Sequence, residues 1–177
     1  KLVTGVQTCA LPISDAAWTS VVNRISPFIS AQNRYSVLSR DIELEVVPAC
    51  NAHGLGILPF FPLESGLLSG KYKPGVAPPQ GTRFATWGAN PTLAERFFSD
   101  TKFAQAQELA KIAEARGHTI LDLAFSWLLS KAYVPSVIAG ATKPEQIEAN
   151  VKAATWKIDG DTLAAIDAVS PPPKAAQ

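Results

Sequence analysis

The chain has 177 residues, a formal net charge of +1 and no methionine. An apolar share of 47% beside only 18% charged residues excludes a disordered chain and indicates extensive buried surface. Because 16 basic side chains are balanced by 15 acidic ones without long runs of one sign, we expect no nucleic-acid partner and no membrane-surface binding. No apolar run approaches the roughly 18 residues that a membrane span requires.

Cysteine and histidine usage indicates neither a metal site nor a disulfide framework. Cys9 and Cys50 lack the spacing of either feature, and free thiols are typical of a reduced compartment, so we expect a cytoplasmic protein. His53 and His118 each stand next to a glycine at a predicted helix end, where a histidine complements the helix dipole. Two histidines are too few for most metal sites, so we expect no metal ligands.

Residues 1–14 (KLVTGVQTCALPIS) differ in character from the rest of the chain. Polar residues interrupt the apolar stretch of a signal peptide, and the alternation of a strand over residues 2–8 is broken. The segment resembles translated sequencing-adapter read-through, so we expect it to be non-native and to belong to no fold. The absence of methionine and the Lys-Leu start predict either that the beginning of the chain has been processed away or that the chain is a piece of a longer gene product.

From Ser14 onward, the spacing of apolar residues predicts alternating helices and strands. The predicted helices cover residues 14–26, 41–53, 101–116, 119–128, 142–154 and 159–169. The predicted strands cover residues 27–31, 56–61 and 134–139. Residues 63–100 are rich in proline and glycine and predict a long irregular segment, which is usually functional or mobile. Residues 171–177 predict a disordered tail.

The order of these elements predicts an α/β fold. Short apolar strands separated by helices are typical of parallel βαβ units. Three parallel strands cannot close a barrel, and as an open sheet they would expose both edges. We therefore expect residues 15–170 to form part of a larger architecture.

Polar side chains follow the predicted strands, where parallel α/β proteins bind their ligands. After the first strand, the amides of Gln32 and Asn33 match a carboxamide, or they belong to an ordinary polar turn. After the second strand, an aromatic residue, Phe60 or Phe61, is either a stacking platform for a flat ring or part of the core. Lys71 follows in a segment of small residues and adds a cation that could approach phosphate.

The third strand runs directly into a helix start that suits an anion. Thr142 and Glu145 have capping-box spacing, and Lys143 adds a positive charge to the amino end of the helix. Gln146 and Asn150 lie four residues apart on the same helix face. The residues alone leave two interpretations open, an anion site or a well-capped surface helix.

Taken in order, the segments QNRYSVLSRD, GLGILPFFPLESGLLSGKY and PSVIAGATKPEQIEAN resemble the aldo-keto reductases. The resemblance covers about residues 16–169. It implies a partial (β/α)8 TIM barrel, namely the carboxyl-terminal half with strands six to eight. It also implies an oxidoreductase that reduces small aldehyde or ketone substrates with NADP(H).

The resemblance assigns cofactor roles residue by residue. Gln32 would hydrogen-bond the nicotinamide carboxamide, and Phe60 stands where the family usually has a stacking Tyr or Trp. The pyrophosphate would lie against Phe61, Pro62, Leu63 and Ser65, below Lys71 and Arg83. Phe61 replaces a common serine, which removes one hydroxyl contact. The adenosine end would be held by Gly140, Thr142, Lys143, Gln146 and Asn150. Lys143 suits a 2′-phosphate, so the resemblance favours NADPH over NADH.

No catalytic residue is assigned in this chain. The family's Asp, Tyr, Lys and His come from the amino-terminal half of the barrel, and Tyr35 and Tyr72 lie in the wrong segments to replace them. We therefore expect the chain alone to be inactive and unstable, with uncovered helix faces. The alternative is a non-catalytic, NADP-binding regulatory protein of the same fold, as potassium-channel beta-type relatives illustrate.

Overall fold

Two short parallel strands organise the described part of the chain, which is residues 10–73 and 76–174 of a computed structural model. Strand β1 (Ser30–Arg34) pairs in parallel with β2 (Gly56–Phe60). In this register Gln32 lies opposite Leu58 and Arg34 lies opposite Phe60. The predicted α/β class and the parallel pairing of the first two strands are confirmed.

The position of β1 along the chain differs from the prediction. The strand begins at Ser30 rather than at Pro27, so Gln32 and Asn33 lie within it instead of after it. The ladder is bracketed by two backbone hydrogen bonds, from the Gly56 N–H to Ile29 and from the Tyr35 N–H to Phe60. Pairing with β2 therefore sets the register, and the apolar residues at positions 28 and 29 remain largely exposed.

The third predicted strand is reduced to a single bridge. Over residues 134–139, Ile138 alone forms a parallel bridge, and its partner is Phe60. The Ile138 N–H donates to Pro59 at 2.9 Å, and the Ile57 N–H donates to Tyr133 at 2.7 Å. The intervening Pro135 has no N–H to donate, which prevents a continuous ladder.

Helices surround this small sheet. Their bounds are α1 (Ala10–Asn23), α2 (Val46–His53), α3 (Arg83–Trp87), α4 (Pro91–Phe98), α5 (Asp100–Glu114), α6 (Ile120–Leu129), α7 (Pro144–Ala153) and α8 (Gly160–Val169). Two 3₁₀ helices lie at Asp41–Glu43 and Glu64–Ser69. None of the helices in the described residues combines the length and the apolarity that crossing a membrane requires.

The segment expected to be irregular contains three helical elements, the second 3₁₀ helix, α3 and α4. Asn90 caps α4, because its Oδ1 accepts hydrogen bonds from the N–H groups of Thr92 (3.0 Å) and Leu93 (3.2 Å). Pro91 occupies the first turn, where a missing N–H costs nothing. Pro91 thus begins a helix. The prediction of an irregular segment was wrong for these three elements, whereas the described residues within 70–82 form neither helix nor strand.

The two chain ends have different outcomes. Residues 10–14, part of the segment expected to belong to no fold, lie in α1, and the Ser14 hydroxyl is 3.3 Å from His53 Nε2. Residues 1–9 lie outside the described part, and the non-native origin of residues 1–14 stays a prediction. Residues 171–174 follow α8 without regular structure, and the rest of the tail lies outside the described part.

The main core lies between α5, α6 and α8 and the second 3₁₀ helix. Its fully buried side chains include Leu68, Leu109, Leu123, Trp127 and Ile166. A smaller cluster packs α2 against β2 and includes Cys50, whose thiol pKa is raised by burial.

One face of the structure carries uncovered apolar side chains. These side chains, on α1 and before β1, are Trp18, Val21, Val22, Phe28 and Ile29. Their exposed fractions of 62% to 80% match the expectation of an uncovered helix face.

Candidate cofactor site

The carboxyl ends of three chain segments meet at one edge of the sheet. Phe60, the last residue of β2, is opposite Arg34 at the end of β1 and bridges to Ile138 on its other side. The residues that the sequence singled out lie within β1, in the turn after β2 and in the segment after Ile138. The structure therefore brings the three candidate segments together.

A tightly wound turn follows β2. Phe61, Glu64, Ser65 and Gly66 all have positive φ values, of 56°, 46°, 57° and 96°. The Gly66 N–H closes the turn by donating to Leu63 at 2.8 Å. Left-handed geometry at residues other than glycine is unfavourable and is found most often at functional sites.

Polar groups of this edge include two buried oxygens without partners. Ser65 Oγ and Asn33 Oδ1 have no hydrogen-bond partner among the described residues. Buried polar atoms are normally satisfied, so these two oxygens indicate capacity for a further polar group. Gln32 lies in the middle of β1 with its side chain exposed.

The two phenylalanines at the end of β2 have different surroundings. The ring of Phe61 packs against Phe97 at 5.5 Å and Trp87 at 6.5 Å between centroids, in a cluster that joins the turn to α3 and α4. Both rings are half-buried, but among the described aromatic rings Phe60 lies near Phe61 alone, at 5.5 Å between centroids. Phe60 is therefore the ring with fewer aromatic neighbours and the better candidate for stacking, whereas Phe61 belongs to an aromatic cluster.

Two exposed cations lie beside the turn. A Cβ atom on Gly66 would be 2.7 Å from Cε and Nζ of Lys71, so the lysine side chain lies directly against this glycine. The Arg83 guanidinium lies 5.5 Å from the ring centroid of Phe61, and its Nη2 is 4.0 Å from the position of a Gly140 Cβ. Arg83 thus connects the turn after β2 with the segment after Ile138.

The start of α7 differs from the predicted capping box. The helix begins at Pro144 with Lys143 as its N-cap residue, so the third helical position is Gln146 and not Glu145. Gln146 Oε1 accepts hydrogen bonds from the Thr142 N–H (2.7 Å) and hydroxyl (3.2 Å). The predicted pairing of Thr142 with Glu145 was therefore wrong, because proline at the first helical position shifts the helix start by one residue.

Asn150 lies further along α7, away from the helix start. It lines a groove of about 340 Å³ beside Ala139 and Ala141. The remaining walls of the groove are mainly apolar and include Phe125, Leu129, Ile147 and Val151. The structure thus places Asn150 next to the backbone of the third segment rather than beside Lys143.

Sequence reasoning assigned no role to Glu64. Glu64 is fully buried and accepts hydrogen bonds from Arg34 Nη2 at 2.6 Å and Lys102 Nζ at 3.0 Å. Lys102 could have indicated a buried acid. It is a cation in the first turn of α5, where the helix dipole disfavours positive charge unless a carboxylate lies near.

A separate apolar cavity of about 380 Å³ lies at the other end of β1. Its walls include Ile13, Trp18, Val21, Phe28 and Leu55. Because these residues belong to α1 and the amino ends of the strands, this cavity is distinct from the candidate cofactor site.

Parallel strands whose carboxyl ends meet beside aromatic and cationic side chains define an α/β protein of the type that binds ligands at strand ends. The chain belongs to the Aldo/keto reductase family, because the model of that family matches residues 6–171. Membership of this family implies a (β/α)8 barrel, with which the described α/β structure is consistent.

Curated relatives support the same family. A Schizosaccharomyces pombe protein named for a voltage-gated potassium channel subunit beta is 37% identical over 153 residues, covering 83% of this chain and 43% of the relative. The L-glyceraldehyde 3-phosphate reductase of Escherichia coli K12 is 33% identical over 129 residues, with 72% and 37% covered. The NADH-specific methylglyoxal reductase of the same strain is 31% identical over 122 residues, with 69% and 36% covered. The chain thus spans less than half the length of these relatives.

Proposed function

We propose that the chain is the carboxyl-terminal half of an NADP(H)-dependent aldo/keto reductase that reduces the carbonyl group of a small aldehyde or ketone. The observation that carries this proposal is the convergence of β1, the turn after β2 and the start of α7 at one sheet edge. Family membership and relatives named as reductases support the reaction class. When bound, NADPH supplies the hydride for the reduction.

The chemistry of the residues present fits a nicotinamide dinucleotide. Gln32 offers an exposed amide for the nicotinamide carboxamide, and Phe60 offers a half-buried ring for stacking. Ser65 offers a buried hydroxyl without a partner, and Lys71 and Arg83 add positive charge beside the same turn. The assigned pyrophosphate residues are Phe61, Pro62, Leu63, Ser65, Lys71 and Arg83.

The adenosine end is assigned to the segment after Ile138. The proposed residues are Gly140, Thr142, Lys143, Gln146 and Asn150. Gln146 acts through Thr142, because its Oε1 accepts hydrogen bonds from the Thr142 N–H and hydroxyl. Lys143 is exposed at the amino end of α7, where both its charge and the helix dipole favour a 2′-phosphate.

Selection of NADPH over NADH tests this assignment, since one of the relatives is named as NADH-specific. Titration of each dinucleotide, followed by tryptophan fluorescence, should show tighter binding of NADPH. Lys143→Ala should lower NADPH affinity about tenfold and leave NADH affinity nearly unchanged. Lys152→Ala, in the last turn of the same helix, is the matched control. Equal affinity for the two dinucleotides in the unmodified protein would contradict the assignment.

We assign the catalytic Asp, Tyr, Lys and His of the family to a preceding amino-terminal half, so the catalytic set of this chain is empty. The chain alone should not turn over NADPH with an aldehyde, whereas a gene product of the full length of its relatives should. Within this proposal residues 15–170 are the barrel part, the location is cytoplasmic and residues 1–14 are non-native. Carbonyl reduction by the chain alone would contradict the assignment of the catalytic groups.

A second candidate is a non-catalytic, NADP-binding regulatory protein. It is favoured by the Schizosaccharomyces pombe relative, which is named for a channel subunit and is 37% identical. Single-turnover measurement of NADPH oxidation by the full-length protein with a panel of aldehydes separates the two candidates. Tight NADPH binding without oxidation would favour the regulatory function.

A further inference from the structure

A buried carboxylate lies beneath the turn that follows β2. The side chain of Glu64 has an exposed fraction of 0%. Its Oε2 accepts hydrogen bonds from Arg34 Nη2 at 2.6 Å and Lys102 Nζ at 3.0 Å, and its Oε1 accepts one from Ser36 Oγ at 2.8 Å. These donors belong to β1, to the residues after β1 and to α5, so one carboxylate joins three parts of the chain to the turn.

The backbone of the turn is in an unfavourable conformation and needs contacts from outside the turn to stabilise it. Glu64 and Ser65 have φ values of 46° and 57°, although neither is a glycine. Each left-handed residue of this kind persists only when surrounding contacts fix it. The side-chain contacts of Glu64 act at the same residue whose backbone is unfavourable.

A gain in stability does not explain why Glu64 is buried with two cations, because a buried salt bridge commonly adds little net stability. Two cations face one carboxylate, so the cluster keeps an excess positive charge directly under the turn. The Arg34 guanidinium also lies 4.7 Å from the ring centroid of Phe97, which packs against Phe61. The network therefore acts on both ends of the turn. It reaches Phe61 through the aromatic cluster, and it reaches Ser65 through the peptide bond that joins Ser65 to Glu64.

We propose that Glu64 is a positioning residue for the pyrophosphate of the nucleotide. It fixes the Phe61–Gly66 turn so that the Ser65 hydroxyl and the Lys71 ammonium group face the phosphates, and it does not touch the nucleotide itself. This inference rests on the proposed NADP(H) site. Its tests distinguish a failure of the positioning role of Glu64 from a failure of the proposed NADP(H) site.

Glu64→Gln keeps the size of the side chain and removes its charge. Glu43→Gln is the matched control, because Glu43 also accepts hydrogen bonds from a buried arginine, Arg40, at 2.9 Å and 3.0 Å, but lies outside the candidate site. Both variants should lower the melting temperature. Glu64→Gln alone should weaken NADPH binding, by about tenfold.

A fragment of the nucleotide separates positioning from general damage. Adenosine 2′-monophosphate lacks both phosphates of the pyrophosphate as well as the nicotinamide, so its affinity should stay within about twofold in Glu64→Gln. Glu64→Asp, which keeps the charge on a shorter side chain, should restore part of the NADPH affinity. Equal losses of both ligands, or no loss of NADPH affinity, would overturn the proposal.

Hydrogen exchange tests the positioning role without any ligand. In the unmodified chain, the Gly66 and Leu68 N–H groups donate to Leu63 at 2.8 Å and 3.2 Å and should exchange slowly. In Glu64→Gln their exchange should accelerate by about tenfold, while amides of α8 keep their rates. Unchanged exchange at Gly66 and Leu68 would overturn the proposal. If the unmodified protein binds no NADPH, the cofactor assignment fails, and the exchange rates still decide whether Glu64 holds the turn.

Discussion

The guanidinium group of Arg83 lies over the ring of Phe61, 5.5 Å from its centroid. Phe61 begins the turn after β2, and the same guanidinium reaches towards Gly140 in the segment before α7. One exposed side chain thus spans the two chain segments to which the pyrophosphate and the adenosine end of NADPH are assigned.

Replacement of Arg83 should weaken NADPH binding more than replacement of a comparable arginine. Arg83→Ala should lower the affinity about tenfold, since a charge-assisted contact to phosphate is lost. Arg96→Ala is the control, because its guanidinium lies over Phe97 in the same cluster at 5.4 Å but is not assigned to the nucleotide. Fluorescence titrations at low and high salt measure both effects. Similar losses in the two variants would show that the aromatic cluster, rather than Arg83, determines affinity.

Gly66 should tolerate alanine less well than Gly81. Both glycines have positive φ, 96° and 75°, so each replacement should cost about 1 kcal/mol in the free energy of unfolding. At Gly66 the added Cβ would also lie 2.7 Å from Lys71 Cε, whereas nothing lies within 4 Å at Gly81. Gly66→Ala should therefore displace Lys71 and lower NADPH affinity as well as stability. Urea unfolding and dinucleotide titration measure the two effects, and equal behaviour of the variants would contradict the contact with Lys71.

The capping residue of α7 can be identified by substitution. Gln146→Ala should destabilise the helix start by about 1 kcal/mol, because the Thr142 N–H loses its acceptor. Glu145→Gln should change stability by only a few tenths of a kcal/mol, through the helix dipole alone. Hydrogen exchange at the Thr142 amide reports the difference directly. A larger effect at Glu145 would restore the capping box that the sequence predicted.

Stability should decrease in alkali because of Tyr35. Burial, followed by donation of its hydroxyl to Glu43 at 2.6 Å, raises the pKa of Tyr35 above its ordinary value. The folded chain therefore holds the phenolic proton more tightly than the unfolded chain, whose tyrosines titrate near pH ~10. This stabilisation is complete below pH ~10 and is lost as the pH rises through the pKa of the folded state.

Urea unfolding between about pH 8 and about pH 11 measures this loss. Tyr35→Phe should make the decrease shallower, and Tyr133 and Cys50, whose pKa values burial also raises, contribute to the remainder. Tyr72→Phe is the control, since it removes the hydroxyl of another buried ring. A decrease of the same steepness in Tyr35→Phe would assign the alkaline loss to other groups.

Local signals were sufficient to predict several helix ends. Thr119 and Asp122 form a capping box at the start of a predicted helix, with hydrogen bonds of 3.2 Å and 2.8 Å between side chain and backbone, and Gly54 ends α2 at a φ of 69°. In both cases the stabilising contacts join residues close in sequence, so their spacing alone identifies the structure.

Features that depend on distant partners were not predictable in the same way. The strand register depends on pairing between β1 and β2, and the third segment is limited to one bridge by Pro135. Glu64 is buried because Arg34 and Lys102 approach it from positions 30 and 38 residues away in the chain. A single sequence does not show which cation meets which carboxylate, although the resemblance to the family assigned the candidate residues to the three segments that meet at this sheet edge.

The narrow attachment of residues 134–139 to β2 has a mechanical consequence. Among the described residues, the backbone hydrogen bond from Ile138 to Pro59 joins this segment to the strand, and a second one, from Ile57, reaches the preceding residue Tyr133. The segment leads directly to α7, so the part of the chain to which the adenosine end is assigned is joined by few backbone contacts to the strand beside which the nicotinamide is assigned. A dinucleotide bound as proposed would contact both parts, and some of its binding free energy would then be spent on ordering this edge of the sheet.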